Sequence, residues 1–168
     1  GGSRIASMVS DILFGTPTPV KSAANLGVLG AKTVNVIVHG HEPELSEMLA
    51  VASVDPEIIE YAKKAGAEGV TLAGICCTAN EILRRHASPG AGNVLQQELA
   101  IATGAIEVMI TDVQCCMPSL PDIAAAYHTE IVTTSEIAKT VGAVHQPFNE
   151  RDALASAKAL LKRAVDNY

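Results

Sequence analysis

An alternation of short apolar runs with helical stretches constrains this chain more than any other feature. TVNVIVH (33–39), GVTLAGI (69–75), IEVMITDV (106–113) and EIVTT (130–134) are rich in β-branched residues and bounded by turn formers. Runs of that length and apolarity read as parallel strands buried on both faces. Between them lie EPELSEMLAVAS, DPEIIEYAKKAGA, ANEILRRH, NVLQQELAIATGA and LPDIAAAYH, all with helical spacing. Asp55 stands as an N-cap with Pro56 at the first helical position, and residues 149–167 form a terminal helix that Asn149 can cap. Strands alternating with helices predict an α/β fold: a Rossmann-like open parallel sheet flanked by helices in three αβα layers.

The first thirty residues differ. SRIASMVSDILFG reads as an amphipathic helix, and TPTPVKSAANLGVLG as a Pro- and Gly-punctuated segment wrapping the surface. The expected organisation is an N-terminal helix and wrapping segment over 1–30 and a Rossmann-like domain over 31–168, together one compact unit. The net charge of -6, with Lys and Arg scattered along the chain, argues against a nucleic-acid or anionic-membrane surface. No apolar run approaches the roughly 20 residues of a membrane span, and no secretory signal stands out, so a cytoplasmic location is expected. The opening Gly-Gly reads as a cleavage remnant of something longer.

All four cysteines sit in two adjacent pairs, GICC (74–77) and QCC (114–116), each just after an expected strand. Adjacent cysteines seldom bridge each other, and a cytosolic setting favours thiols or metal ligands over disulfides. In an open α/β sheet, ligands sit beyond the carboxyl ends of the strands. His39, Gly40 and His41, the first Cys pair and the second would then converge on one crevice, with one thiol of each pair facing it if the backbone there is extended. A single strand-end cysteine is more often a small buried hydrophobe, but three such sites at neighbouring strand ends favour a shared centre. The donors are too dispersed for a zinc finger. Thiolates with an imidazole suit zinc, copper(I) or an iron–sulfur cluster. His86, His128 and His145 read as surface or capping residues.

VNVIVHGHEPELSE, GICCTANEIL, GNVLQQELAI and DVQCCMPSL, in this order, closely resemble the middle Rossmann-like domain of anaerobic nickel–iron carbon monoxide dehydrogenase, including the form partnered with acetyl-CoA synthase. The resemblance runs from SDILFGTPTP to the terminal helix. It implies oxidation of CO with water to CO2, two protons and two electrons at a nickel–iron–sulfur cluster. It also implies that His41 and Cys77 hold one iron of that cluster and Cys115 another. Cys76 would pack beside them, His39 would orient a ligand or donate a hydrogen bond, and Cys116, where the family usually has an aliphatic residue, would be core or an incidental extra thiol.

The resemblance also implies partners: the remaining domains of a homodimeric enzyme, and acetyl-CoA synthase. In that family three more cluster cysteines, a catalytic lysine and the electron-carrying clusters lie outside the middle domain, so a free-standing chain is expected to be a metal or iron–sulfur scaffold without full activity. Such a chain would be apo, or hold zinc or an iron–sulfur cluster. Arg84 stands where the family tends to have methionine, which suggests a formerly buried face now wetted. Two other classes compete. A thiol-redox protein would want a Cys-x-x-Cys pair, and a nucleotide-binding module would want a bare Gly-rich loop where HGHEPE stands.

Overall fold

The computed structural model of the chain describes residues 1–113 and 115–168. The expected apolar runs form β1 (Val34–His39), β2 (Val70–Ile75), β4 (Val108–Thr111) and β5 (Glu130–Thr133), and two short edge strands join them, β3 (Gly90–Gly92) and β6 (Val144–His145). They make one parallel sheet in the order β3-β2-β1-β4-β5-β6. β1 is central and buried throughout, paired from Val34↔Val70 to His39↔Ile75 on one side and from Val36↔Val108 to His39↔Thr111 on the other.

Alternation along β1 splits the core in two. Val34, Val36 and Val38 face Leu45 and Leu49 of α2 (Pro43–Ser53), Ile58 of α3 (Pro56–Lys64), Ile82 of α4 (Cys76–His86) and Leu160 and Leu161 of α7 (Ala153–Asp166). Ile37, with Ile75, Met109 and Ile131, faces Ala100 and Ile101 of α5 (Gln97–Ala102) and Leu120 and Ala124 of α6 (Leu120–Ala124). Each fully buried Leu or Ile side chain contributes about 1.5–3 kcal/mol, so both layers are strongly held. The expected three-layer Rossmann-like architecture is therefore present.

Three helices differ from the sequence reading. α4 starts at Cys76 and not Ala79. The stretch 93–105 splits into a 3-10 turn (Val94–Gln96) and α5, because Asn93 and Gln96 close a capping box over the turn. The helix read over 120–128 stops at Ala124.

α1 (Gly2–Phe14) buries no residue, and Ile5, Met8, Ile12 and Leu13 are exposed. It is tethered by polar contacts: Arg85 donates to Ser10 Oγ (2.9 Å), Asp11 Oδ1 (2.9 Å) and the Gly15 carbonyl (2.9 Å). The following segment reaches the β3 edge, where the Gly90 amide donates to the Ala23 carbonyl at 3.2 Å. Among the described residues, no helix is long and apolar enough to cross a membrane.

Candidate metal centre

The strand order reverses between β1 and β4, the switch point at which open α/β sheets open a crevice at their carboxyl edge. The HGH turn follows β1, the first cysteine pair follows β2, and the second follows β4. Hydrogen bonds join these ends. The Thr78 amide in α4 donates to the Gly40 carbonyl (3.1 Å), and His39 Nε2 lies 3.1 Å from the Cys115 carbonyl. Gly74 lets α4 press against β2: a Cβ there would stand 2.3 Å from Ala79 Cα.

Asp112 organises the HGH turn. Its buried carboxylate accepts from the His41 amide (2.7 Å) and the Glu42 amide (2.9 Å), and also from Val113 N. These amides lead into the start of α2, where a dinucleotide phosphate would bind in a nucleotide-binding relative of this fold. An internal carboxylate fills that place, which opposes the nucleotide reading. Gly40 is needed for the fit, with φ +141° and no room for a side chain beside Asp112.

His41 Nδ1 lies 3.0 Å from the Val113 carbonyl. A proton on Nδ1 donated there leaves the Nε2 lone pair free, the usual arrangement of a metal-ligating imidazole. Cys77 and Cys115 are exposed, whereas Cys76 and Cys116 are half-buried, and no disulfide joins the described cysteines. Burial, reinforced by Cys115 and Cys77, pushes the Cys76 thiol up to about 11. Burial, then Asp112, pushes Cys116 up to about 12. Neither inner thiol is a poised nucleophile, which opposes a redox role for them.

Each pair has one exposed and one half-buried thiol, but the expected split of one thiol facing the crevice and one turned away does not hold for the first pair, since Cys76 and Cys77 line the same cleft. The backbone is not extended at either pair. Cys76 (φ 63°) and Cys115 (φ 56°) are both left-handed, and Cys77 lies in the first turn of α4. Two non-glycine residues in that region are strained by roughly 1–2 kcal/mol each, and strain of this kind gathers at functional sites.

Cys76, Cys77 and Cys115 line a cleft of about 470 Å³ with Asn80, Asn93 and Gln96. Cys77 and His41 line an adjoining cleft of about 340 Å³ under α1, with Glu81 and Arg84. Cys77 thus stands between Cys115 and His41, and Cys116 opens with Cys115 into a separate recess beside Thr111 and Asp112. Among the described residues, no three His, Cys, Asp or Glu side chains converge closely enough to hold a single metal ion. A mononuclear zinc site is therefore not preformed. A polynuclear cluster, whose ligands each take a different metal atom, fits donors spread along a crevice rim.

Two contributors escaped the sequence reading. Asp112 looked like the end of a strand, and Gln97 like one more polar residue on a helix. Gln97 is fully buried and bonds the Cys115 carbonyl at 2.7 Å. Only the hydrogen bond of a buried Gln marks it, and that depends on the fold. The other histidines pair with carboxylates: His86 with buried Glu47, His128 with Glu107 (3.3 Å) and His145 with Glu136 (3.1 Å). Arg84 is not simply wetted, since α1 half-covers it, with Glu81 at 3.1 Å and Asp11 at 3.7 Å.

The sequence matches the Prismane/CO dehydrogenase family along residues 1–168. It is 55% identical over its whole length to carbon monoxide dehydrogenase 1 of Methanosarcina acetivorans, of which it covers 27%. It is 48% identical over 99% of its length to the carbon monoxide dehydrogenase/acetyl-CoA synthase subunit beta of Moorella thermoacetica, covering 24% of that protein. An as-isolated, nickel-free crystal structure of carbon monoxide dehydrogenase from Thermococcus sp. AM4 superposes with a TM-score of 0.97 at 50% identity, over 99% of this chain and 26% of that one. The chain thus spans about a quarter of the length of the relatives it matches. A family match from end to end, joined to a fold that superposes at half-identical sequence, makes this chain a member of the Prismane/CO dehydrogenase family.

Proposed function

We propose that this chain is the ligand-bearing Rossmann-like domain of a CO dehydrogenase, and that His41, Cys77 and Cys115 hold the near side of its nickel–iron–sulfur cluster. The observation that carries the reading is the line of donors along two adjoining clefts at the switch point, exposed Cys77 sharing one with exposed Cys115 and the other with His41, whose Nε2 is left open. When bound, the cluster supplies a redox-active Lewis-acidic centre at which CO and water become CO2, two protons and two electrons. The chain's own residues prepare the rim. Asp112 fixes the turn that carries His41, the Val113 carbonyl holds the His41 Nδ1 proton, and the packing of α4 against β2 sets Cys77.

Three donors are too few to complete such a cluster, so its other ligands come from the rest of a CO dehydrogenase. That enzyme, and acetyl-CoA synthase in bifunctional assemblies, are the proposed partners. The isolated chain is expected to show no substantial CO oxidation with a dye acceptor. The test is anaerobic rebuilding with iron and sulfide, read by bound iron and absorption. Cys77→Ala and Cys115→Ala lower the iron retained far more than Cys116→Ala does. Equal losses from all three substitutions would refute this ligand set.

A further inference from the structure

We propose that Gln97 and His39 form a two-donor clamp on the Cys115 carbonyl, which holds Cys115 left-handed and so presents its thiol to the cleft. The proposal rests on Cys115 serving as a cluster ligand, and it makes Gln97 a positioning residue.

Gln97 opens α5, whose Ala100 and Ile101 belong to the apolar cluster on that face of the sheet. It is fully buried, and a buried amide is costly unless its polar atoms are bonded. All are: Oε1 accepts from the Met117 amide (3.0 Å), and Nε2 donates to the Cys115 carbonyl (2.7 Å) and the Val94 carbonyl (3.0 Å). The orientation of the amide follows from this set, because Met117 N can only donate and must face the oxygen.

His39, also fully buried, approaches the same carbonyl from β1. A neutral imidazole carries one proton. Its contact of 3.1 Å with the Cys115 carbonyl is shorter than the 3.5 Å from Nδ1 to the Ile75 carbonyl, so the proton belongs on Nε2. Both lone pairs of the Cys115 carbonyl are then occupied, one from α5 and one from β1. A residue with a Cβ disfavours φ 56° and keeps it only where the surroundings over-determine it. Two converging donors on its carbonyl, with Met117 N bonded two residues later, supply that constraint.

The experiment uses the 168-residue chain with carbon-13-labelled cysteine. Gln97→Glu keeps the volume of Gln97 and its acceptor for Met117, and its carboxylate, ionised under the alkaline conditions of the measurement, cannot donate to Cys115 as a protonated carboxyl would. The carbonyl and Cβ resonances of Cys115 are expected to leave left-handed values while those of Cys77 stay. The alkylation rate of Cys115 relative to Cys77 in the apo chain should change on the order of five-fold, the weight of one lost hydrogen bond. Iron retained after anaerobic rebuilding should fall by a similar factor.

Unmoved Cys115 resonances in folded Gln97→Glu would overturn the clamp, even if iron retention fell. Moved resonances with full iron retention would support the clamp and overturn Cys115 as a ligand, so the two readings fail separately. If Gln97→Glu does not fold by circular dichroism, His39→Leu removes only the other donor. A Cys115 signal that does not move in that variant also overturns the clamp.

Discussion

Gly40→Ala strikes the turn that carries His41, and its cost can be worked from the contacts there. A Cβ on Gly40 would stand 1.7 Å from Asp112 Oδ1 and 2.4 Å from its Cγ, so the carboxylate must move. Moving it gives up charge-assisted bonds to the His41 and Glu42 amides, each worth about 1.5–3 kcal/mol. The backbone at φ +141° adds roughly 1–3 kcal/mol of strain for any residue but glycine. These losses overlap, because a shifted turn relieves part of the strain, and the net cost should be about 3–5 kcal/mol. Gly66→Ala is the control: it has φ +99° but no atom within 4 Å of the added Cβ, so it carries backbone strain alone, about 1 kcal/mol. The assay is urea unfolding, comparing midpoints at constant slope. If Gly40→Ala costs no more than Gly66→Ala, the Asp112 contact does not hold the turn and the account of His41 fails.

Arg85→Met removes a guanidinium that is 3% exposed and leaves the Glu47 carboxylate, 2% exposed, with His86 as its remaining ion-pair partner. It should destabilise by about 3–5 kcal/mol and free α1 for limited proteolysis, and an unchanged cleavage rate at α1 would count against the tether. Asp55 is held below the ordinary carboxylate range by Lys158, and Glu57 by Lys162 and then Lys158. A carboxyl with a depressed folded pKa stabilises the native state above its unfolded value, and that contribution is lost as pH falls through the folded pKa. The stability gap between the unaltered chain and Lys158→Met should therefore be present near neutrality and shrink as the pH falls below the ordinary carboxylate range, as followed by thermal melts. Iodoacetamide at neutral pH should modify Cys77 and Cys115 first, with Cys76 and Cys116 requiring alkaline conditions, as peptide mapping will read.

The sheet centre was legible because β1, β2, β4 and β5 are runs of β-branched residues, whose preference is local and survives without the fold. β3, a Gly-Ala-Gly triplet, and β6, a Val-His pair, carry no such preference. They become strands only because β2 and β5 offer them unpaired backbone. The same division runs through the centre. Residue type and strand-end position pointed to the HGH turn and the two cysteine pairs as one candidate edge, and the choice of His41, Cys77 and Cys115 among them rested on the family resemblance.

The conformation of those donors was not legible. Cys76 and Cys115 are left-handed against their own propensity, and the Cys115 carbonyl is bonded from His39 and from Gln97, partners distant in sequence. Asp112 shows the reason most clearly. Its carboxylate bonds the His41 and Glu42 amides ahead of α2 across about 70 residues of chain, as their sequence separation records, and so fills the place a phosphate would take at this Rossmann-like edge. The sequence by itself determined which residues are apolar, which are donors and how strands and helices alternate, because these are properties of short segments. Only the tertiary structure decided how each donor is aimed, because that depends on hydrogen bonds that form once β1, β4, α4 and α5 are brought together.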